Sequence, residues 1–269
     1  MTDLKTWIKI AVVLLVIGGL GSLITFVTMD QNNIQKNVEV DPARISGLEV
    51  RLRNGLILMQ ETDDDHIRIR LTGKERIKSD VDLLVEEIGN VLSIEAKRTK
   101  RTLFNKMAVR DLTLTIDVPK KVFESIRMEI NNGKLKASQL YATHVNAEAD
   151  NAEIRLEAVE AEHVQVATNN GTIVLAHVTG DVTGETKNGS IHMLTQNLDY
   201  NLDLKTINGS IEIETDQEPA NAFLDLRVRN GRTHVFGDPD WPSVYGNGEH
   251  LIKLRTENGS ITIKKSSER

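Results

Sequence analysis

Asparagine followed by glycine recurs along this chain at nearly constant spacing, and that recurrence constrains the fold more than any other feature. The pair stands at Asn132-Gly133, Asn170-Gly171, Asn188-Gly189, Asn208-Gly209, Asn230-Gly231 and Asn258-Gly259, with an earlier copy at Asn54-Gly55. Asn151-Ala152 fills the gap as a degenerate copy, so successive asparagines are 19, 19, 18, 20, 22 and 28 residues apart. Self-similarity at such a period marks a repeat architecture. Three copies keep a longer phrase, Thr-x-Asn-Gly-Ser-Ile, in "ETKNGSIHML", "KTINGSIEIE" and "RTENGSITIK".

Aligning the copies on the asparagine shows what each unit buries. Apolar or small residues stand two and four places before it, as in Thr206 and Leu204. They stand again three and five places after it, as in Ile211 and Ile213. The positions between are mostly polar, so each unit reads as strand, tight turn, strand, with one face inward. Asn and Gly tolerate the positive φ of a tight turn better than other residues. An antiparallel sandwich would need a reversal at both ends of every strand, and only one end carries that signature. The favoured expectation is an all-β, β-solenoid-like stack of about 19-residue coils, with Ile191 on Ile211 and the Asn-Gly pairs as corners. The serine of the phrase has no histidine and acid at fixed spacing, so nothing marks it as a nucleophile.

The N-terminus reads differently. Ile10 to Val27 carries no charge and includes twelve Leu, Ile, Val or Phe residues. With Ile8 and Lys9 it reaches bilayer length, and its apolar side chains favour insertion by about 4–7 kcal/mol. No small-x-small cleavage site follows, so an uncleaved anchor is expected rather than a signal peptide. Lys5 and Lys9 before the span, and Asp30 after it, place the N-terminus in the cytoplasm and the remainder outside. The expected organisation is a cytoplasmic tail over 1–7, a transmembrane helix over 8–28, a polar linker over 29–37 and an extracytoplasmic β-repeat domain over 38–269. The absence of cysteine removes disulfides, thiolate metal sites and a lipoprotein anchor. A net charge of −6 gives no case for nucleic acid as a partner.

Between the linker and the repeats, "LEVRL", "HIRIRL", "VLSIEA" and "LTLTIDV" alternate as strands. One helix is expected near 80–88, because Val81, Leu84, Val85 and Ile88 fall at i, i+3, i+4 and i+7, with Ser79 as N-cap and Gly89 as stop.

"LTIDVPKKVFESIRMEINNGKLKASQL", the run of N-G-x-I units and the closing "YGNGEHLIKLRTENGSITIK" resemble a bacterial β-strand-repeat domain of unknown function labelled a candidate adhesin. Joined to a short cytoplasmic start and one span, the arrangement resembles the LiaG-like membrane proteins of cell-envelope stress operons. The resemblance covers about 45–265. It implies an all-β, solenoid-like, surface-located binding protein, with no catalytic residues to carry over.

Candidate sites are few. Trp241 and Tyr245 lie in "GDPDWPSVYGNGEH", which lengthens the last repeat; they suit either stacking on a partner or capping the open end. Lys97, Arg98, Lys100 and Arg101 open a basic stretch that could meet anionic lipid or wall polymer, or merely face water. "ETDDDH" reads as a solvated turn, not a Ca²⁺ loop, for want of spaced ligands and glycines. His192 and His234 lie outward, two repeats apart, with no further ligands. No cofactor or metal is expected, and the chain reads as a non-enzyme. The expected partners are the membrane, other envelope proteins or wall polymer. A polysaccharide-active solenoid enzyme and an end-stacking scaffold are the alternatives.

Overall fold

In the computed structural model, which describes residues 32–75, 81–98 and 109–266, the strands curl into a stack of coils around a single apolar core. Apart from one 3-10 turn at Pro42–Arg44, every regular element among the described residues is a strand. The first six are β1 (Asn32–Val40), β2 (Gly47–Thr62), β3 (Ile67–Glu75), β4 (Val81–Ile88), β5 (Val91–Arg98) and β6 (Val109–Pro119). β7 (Val122–Asn170) runs through successive coils without a break. There follow β8 (Ile173–Ala176), β9 (Thr179–Asn188), β10 (Ile191–Thr195), β11 (Leu202–Asn208), β12 (Ile211–Thr215), β13 (Ala222–Asn230) and β14 (Thr233–Val235). The last three are β15 (Val244–Tyr245), β16 (His250–Asn258) and β17 (Ile261–Lys265).

Each coil presents one strand before its asparagine and one after it, and both stack in parallel register on the next coil. On the first side Leu202 pairs with Val182 and with Ile252; on the second, Ile191 pairs with Ile173 and with Ile211. Parallel strands buried on one face stack like on like, so the inward isoleucines form a column. Ile154, Ile173, Ile191, Ile211 and Ile261 are all fully buried. At roughly 1.5–3 kcal/mol for each such side chain, that column is a principal source of stability.

Every recurring letter of the six-residue phrase has a physical role in the stack. The asparagine amides form a ladder in which each Nδ2 donates to the Oδ1 of the neighbouring coil at 2.8–3.0 Å, in the order 230, 258, 208, 188, 170, 151, 132, 54. The buried threonines Thr186, Thr206 and Thr256 donate from Oγ1 to the carbonyls of Gly171, Gly189 and Gly209 in the adjacent corner. Ser190 and Ser210 accept at Oγ from the backbone N–H of Ser210 and Ser260. The glycine is demanded by crowding: a Cβ on Gly209 would sit 1.9 Å from the Gly189 carbonyl oxygen. The opposite corner uses left-handed residues that are not glycine, with φ of 54° at Gln139, 50° at Ala158 and 53° at His177. Each is followed by a buried anchor, Leu140, Val159 or Val178, whose packing offsets the strain.

Two expectations are corrected, and the order of the coils in space departs from their order in the chain. Val81–Ile88 is a strand, not a helix: β4 pairs antiparallel with β5 across a two-residue turn at Gly89-Asn90. Val81, Leu83 and Val85 point inward with period two, while Leu84 and Ile88, which completed the helical stripe, are exposed. The turn fixes the hairpin and overrides a helix pattern only two turns long. The polar stretch read as a linker over 29–37 is already strand from Asn32, because Ile34, Val38 and Val40 alternate inward and β1 pairs with β3. Lastly, the coils do not stack in sequence order at the C-terminal end. β16 and β17 insert between the coil of β11–β12 and that of β13–β14. The transmembrane expectation over 8–28 lies outside the described residues, and among those described no helix is long and apolar enough to cross a membrane.

Candidate binding groove

A long concavity among the described residues runs along the stack across the starts of six coils, with a volume of roughly 800 Å³. Its geometry follows from the repeat. Seven residues before each corner asparagine stand Ser125, His144, His163, Asp181, Asn201 and Leu251. Five before it stand Arg127, Asn146, Gln165, Thr183, Asp203 and Lys253. Parallel register therefore turns two sequence positions into two continuous rows of side chains.

Some neighbours within the rows contact one another. The rings of His144 and His163 stack at 5.3 Å with 9° between planes. His163 Nδ1 lies 4.0 Å from Asp181, which accepts from Asn201 Nδ2 at 3.2 Å. Asn201 Oδ1 in turn accepts from the Leu251 N–H. Arg127 pairs with Glu148 and Lys253 with Asp203, so both basic side chains with a fixed charge in the groove already have a carboxylate partner. What remains is a long groove in which rows of polar side chains flank an apolar floor that includes Val145, Val164 and Val182, suited to an extended chain with both hydrogen-bonding and apolar faces.

The residues singled out by sequence lie elsewhere. Trp241 and Tyr245 are half-buried and pack against the core at the end of the stack, and burial raises the Tyr245 phenol. Their loop covers that end only in part. β15 pairs with Ala222 and Phe223, while β13 from Asp225 to Asn230 has no strand on its outer edge among the described residues. Lys97 and Arg98 end β5, and Lys100 and Arg101 fall outside the described residues. In "ETDDDH", Asp64 and His66 approach Glu39, with ligand atoms within 4.8 Å of one another. Arg68 pairs with both carboxylates and meets their charge. His192 and His234 are three coil steps apart, since the 211 and 261 coils lie between them. His192 Nδ1 lies 3.3 Å from Glu212, and Lys264 pairs with both Glu212 and Glu214, so the three coils are tied together across their outer face. Asn188-Gly189, Asn208-Gly209, Asn230-Gly231 and Asn258-Gly259 each stand at the junction between the two strands of their coil, while Asn54-Gly55 and Asn132-Gly133 lie within the continuous strands β2 and β7. Sequence reasoning missed the groove itself, although the columns seven and five places before each asparagine were there to be aligned.

A β-solenoid-like stack with a groove along its axis is thus the class of protein described. The chain belongs to the Toastrack DUF4097 family, which matches residues 45–152 and 133–264. Among solved structures it is similar to a candidate adhesin of Bacteroides fragilis, at 15% identity and TM-score 0.46, covering 88% of this chain and 99% of that one. It is also similar to a candidate cell adhesion protein of Clostridium sporogenes, at 14% identity and TM-score 0.40, covering 88% and 100%. A candidate lipid-binding protein of Parabacteroides distasonis matches at 13% identity and TM-score 0.41, covering 88% and 97%. No curated protein matches the chain.

Proposed function

We propose that this chain is a single-pass membrane protein that holds a non-enzymatic β-solenoid outside the cell, where the groove docks an extended component of the envelope. The apolar stretch over 8–28 supports the anchor, and the Lys5 and Lys9 flank supports the orientation. The observation that carries the binding role is the groove: two rows of mostly polar side chains across six coils, broken only at Leu251, with Arg127 and Lys253 each paired to a carboxylate. A surface of that kind recognises a chain by repeated hydrogen bonds rather than by net charge. A strand of wall polymer or an extended segment of another envelope protein fits this description, and the role is adhesion or envelope-stress response, as the LiaG-like arrangement suggests.

A photo-crosslinker at Gln165, in the groove, is expected to capture envelope material from intact cells; the same group at Thr262, on the opposite side, is not. Equal capture from both positions overturns the groove as the docking surface. A protease-sensitive tag after Arg269 is expected to be cut on intact spheroplasts and one at Met1 to be spared. Protection of both tags overturns the topology.

A further inference from the structure

Asparagine followed by glycine is chemically labile. The glycine backbone nitrogen, on losing its proton, attacks Asn Cγ; the new N–C bond forms as the bond to the side-chain nitrogen breaks, and ammonia leaves. Water then opens the cyclic imide at either carbonyl, giving aspartate or isoaspartate. The net reaction consumes one water and releases one ammonia. Glycine permits it because no Cβ hinders the attack. This chain carries eight Asn-Gly pairs, an unusual load for one domain.

The stack suppresses the reaction at most of them. The attacking nitrogen is held as a hydrogen-bond donor: the Gly171, Gly189, Gly209 and Gly259 N–H groups donate to the asparagine carbonyls of the adjacent coil at 2.9–3.0 Å. Gly55 and Gly133 lie inside continuous strands, paired in register with each other. The asparagine Cγ is held too, since an interior amide such as that of Asn188 donates to one neighbour and accepts from the other. Even Asn247-Gly248, in the exposed end loop, has its glycine N–H donated to Tyr245 O at 3.1 Å.

Asn230-Gly231 differs. Because the C-terminal coil inserts beneath it, this corner is one of the ladder's two ends; at the other, Asn54, the glycine lies within the continuous strand β2. Among the described residues the Gly231 N–H donates to no backbone or side-chain acceptor, and Asn230 keeps a single amide bond, its Nδ2 to Asn258 Oδ1. The corner is exposed to water. We propose that Asn230 is the site at which the folded protein deamidates, and that the conversion loosens the end coil. A carboxylate at this position can no longer donate to Asn258 Oδ1 and instead sets oxygen against oxygen. An isoaspartate also lengthens the backbone where Gly231 packs on the Gly259 carbonyl.

Peptide mapping by mass spectrometry after incubating the full chain in mildly alkaline buffer tests the first half. Asn230 is expected to convert roughly tenfold faster than Asn188, Asn208, Asn247 or Asn258, since opening an interior corner first requires local unfolding. In urea the eight sites are expected to react at similar rates. Even conversion across the folded chain, a faster Asn247, or the same preference for Asn230 in urea would each overturn the proposal. Hydrogen exchange of the full-length Asn230→Asp protein tests the second half. Protection is expected to fall over 224–235 while 191–215 is unchanged; unaltered protection over 224–235 overturns the loosening.

Discussion

Ile211 packs in register on Ile261, not on Thr233, although the coil of Thr233 follows it in the chain. The C-terminal coil is therefore an interior coil, and a defect at Ile211 spreads to sequence-distant neighbours. Ile211→Asp buries a carboxyl with no partner and should cost several kcal/mol. Hydrogen-exchange protection is expected to fall most in β10, β12 and β17, less in β14, and least near Leu135. Stronger loss in β14 than in β17 would contradict the inserted order.

The same relationship gives a truncation test. In a solenoid stacked in sequence order, trimming the last coil leaves the others in place. Here, removing residues 249–269 takes out the coil that joins β11–β12 to β13–β14. The coil of β13–β14 is expected to become protease-sensitive from Phe223 to Val235, while β8 to β10 stay protected. A truncated protein with β13 still protected would sink this prediction.

The repeat and its inward face were legible because each corner residue meets its own counterpart in the next coil, so the physics is written once per period. The inserted order was legible too, but only in a comparison of copies. The 222–235 coil has Val228, Arg232 and Thr233 where the phrase has Thr, Ser and Ile, whereas "RTENGSITIK" keeps all three. A coil with a neighbour on one side only has less need of them. The second corner left no such trace, because Gln139, Ala158 and His177 adopt a left-handed backbone without glycine. The helix expected over 80–88 came from a stripe that counted Leu84 and Ile88 as buried, and the Gly89-Asn90 turn was read as a helix stop rather than a hairpin.

Thr206 tests the hydroxyl column. Its Oγ1 donates to Gly189 O at 2.9 Å in a fully buried setting. Thr206→Val keeps the shape and deletes the donor, and should cost about 1 kcal/mol in chemical denaturation. Thr206→Ser keeps the donor and loses a buried methyl. If Val proved neutral while Ser did not, packing rather than the hydrogen bond would explain the threonine.

Two groups set opposite pH limits. Burial raises the Tyr200 phenol from 10.0 to about 12, against the weaker opposing pull of its hydrogen bond to Thr195. The unfolded chain then ionises first, so stability is full below pH 10 and falls between pH 10 and about 12. Tyr200→Phe should remove that alkaline slope. At the acid end the Lys264 ammonium, with His192 contributing less, lowers the Glu212 carboxyl. Its stabilisation is present above the ordinary carboxylate value and lost as pH falls through the lowered one. Glu212→Gln should flatten a small part of the acid transition, small because the pair is exposed. Denaturation midpoints across pH measure both slopes.

Glycine at the corners separates crowding from backbone freedom. A Cβ on Gly209 would approach the Gly189 carbonyl oxygen to 1.9 Å, and that atom is backbone in a stacked coil, unable to move without parting the sheet. A Cβ on Gly237 meets nothing within 4 Å, although its φ of 76° is left-handed. Gly237→Ala should therefore cost only the conformational penalty, about 1 kcal/mol. Gly209→Ala should cost several times as much, because it breaks the Asn188–Asn208–Asn258 ladder and the Thr256 bond to Gly209 O together. Thermal melts of the two variants against the parent measure the difference. Equal losses would mean that the corner needs glycine for its backbone angle alone, and the close stacking of carbonyl on glycine would not be what holds the period.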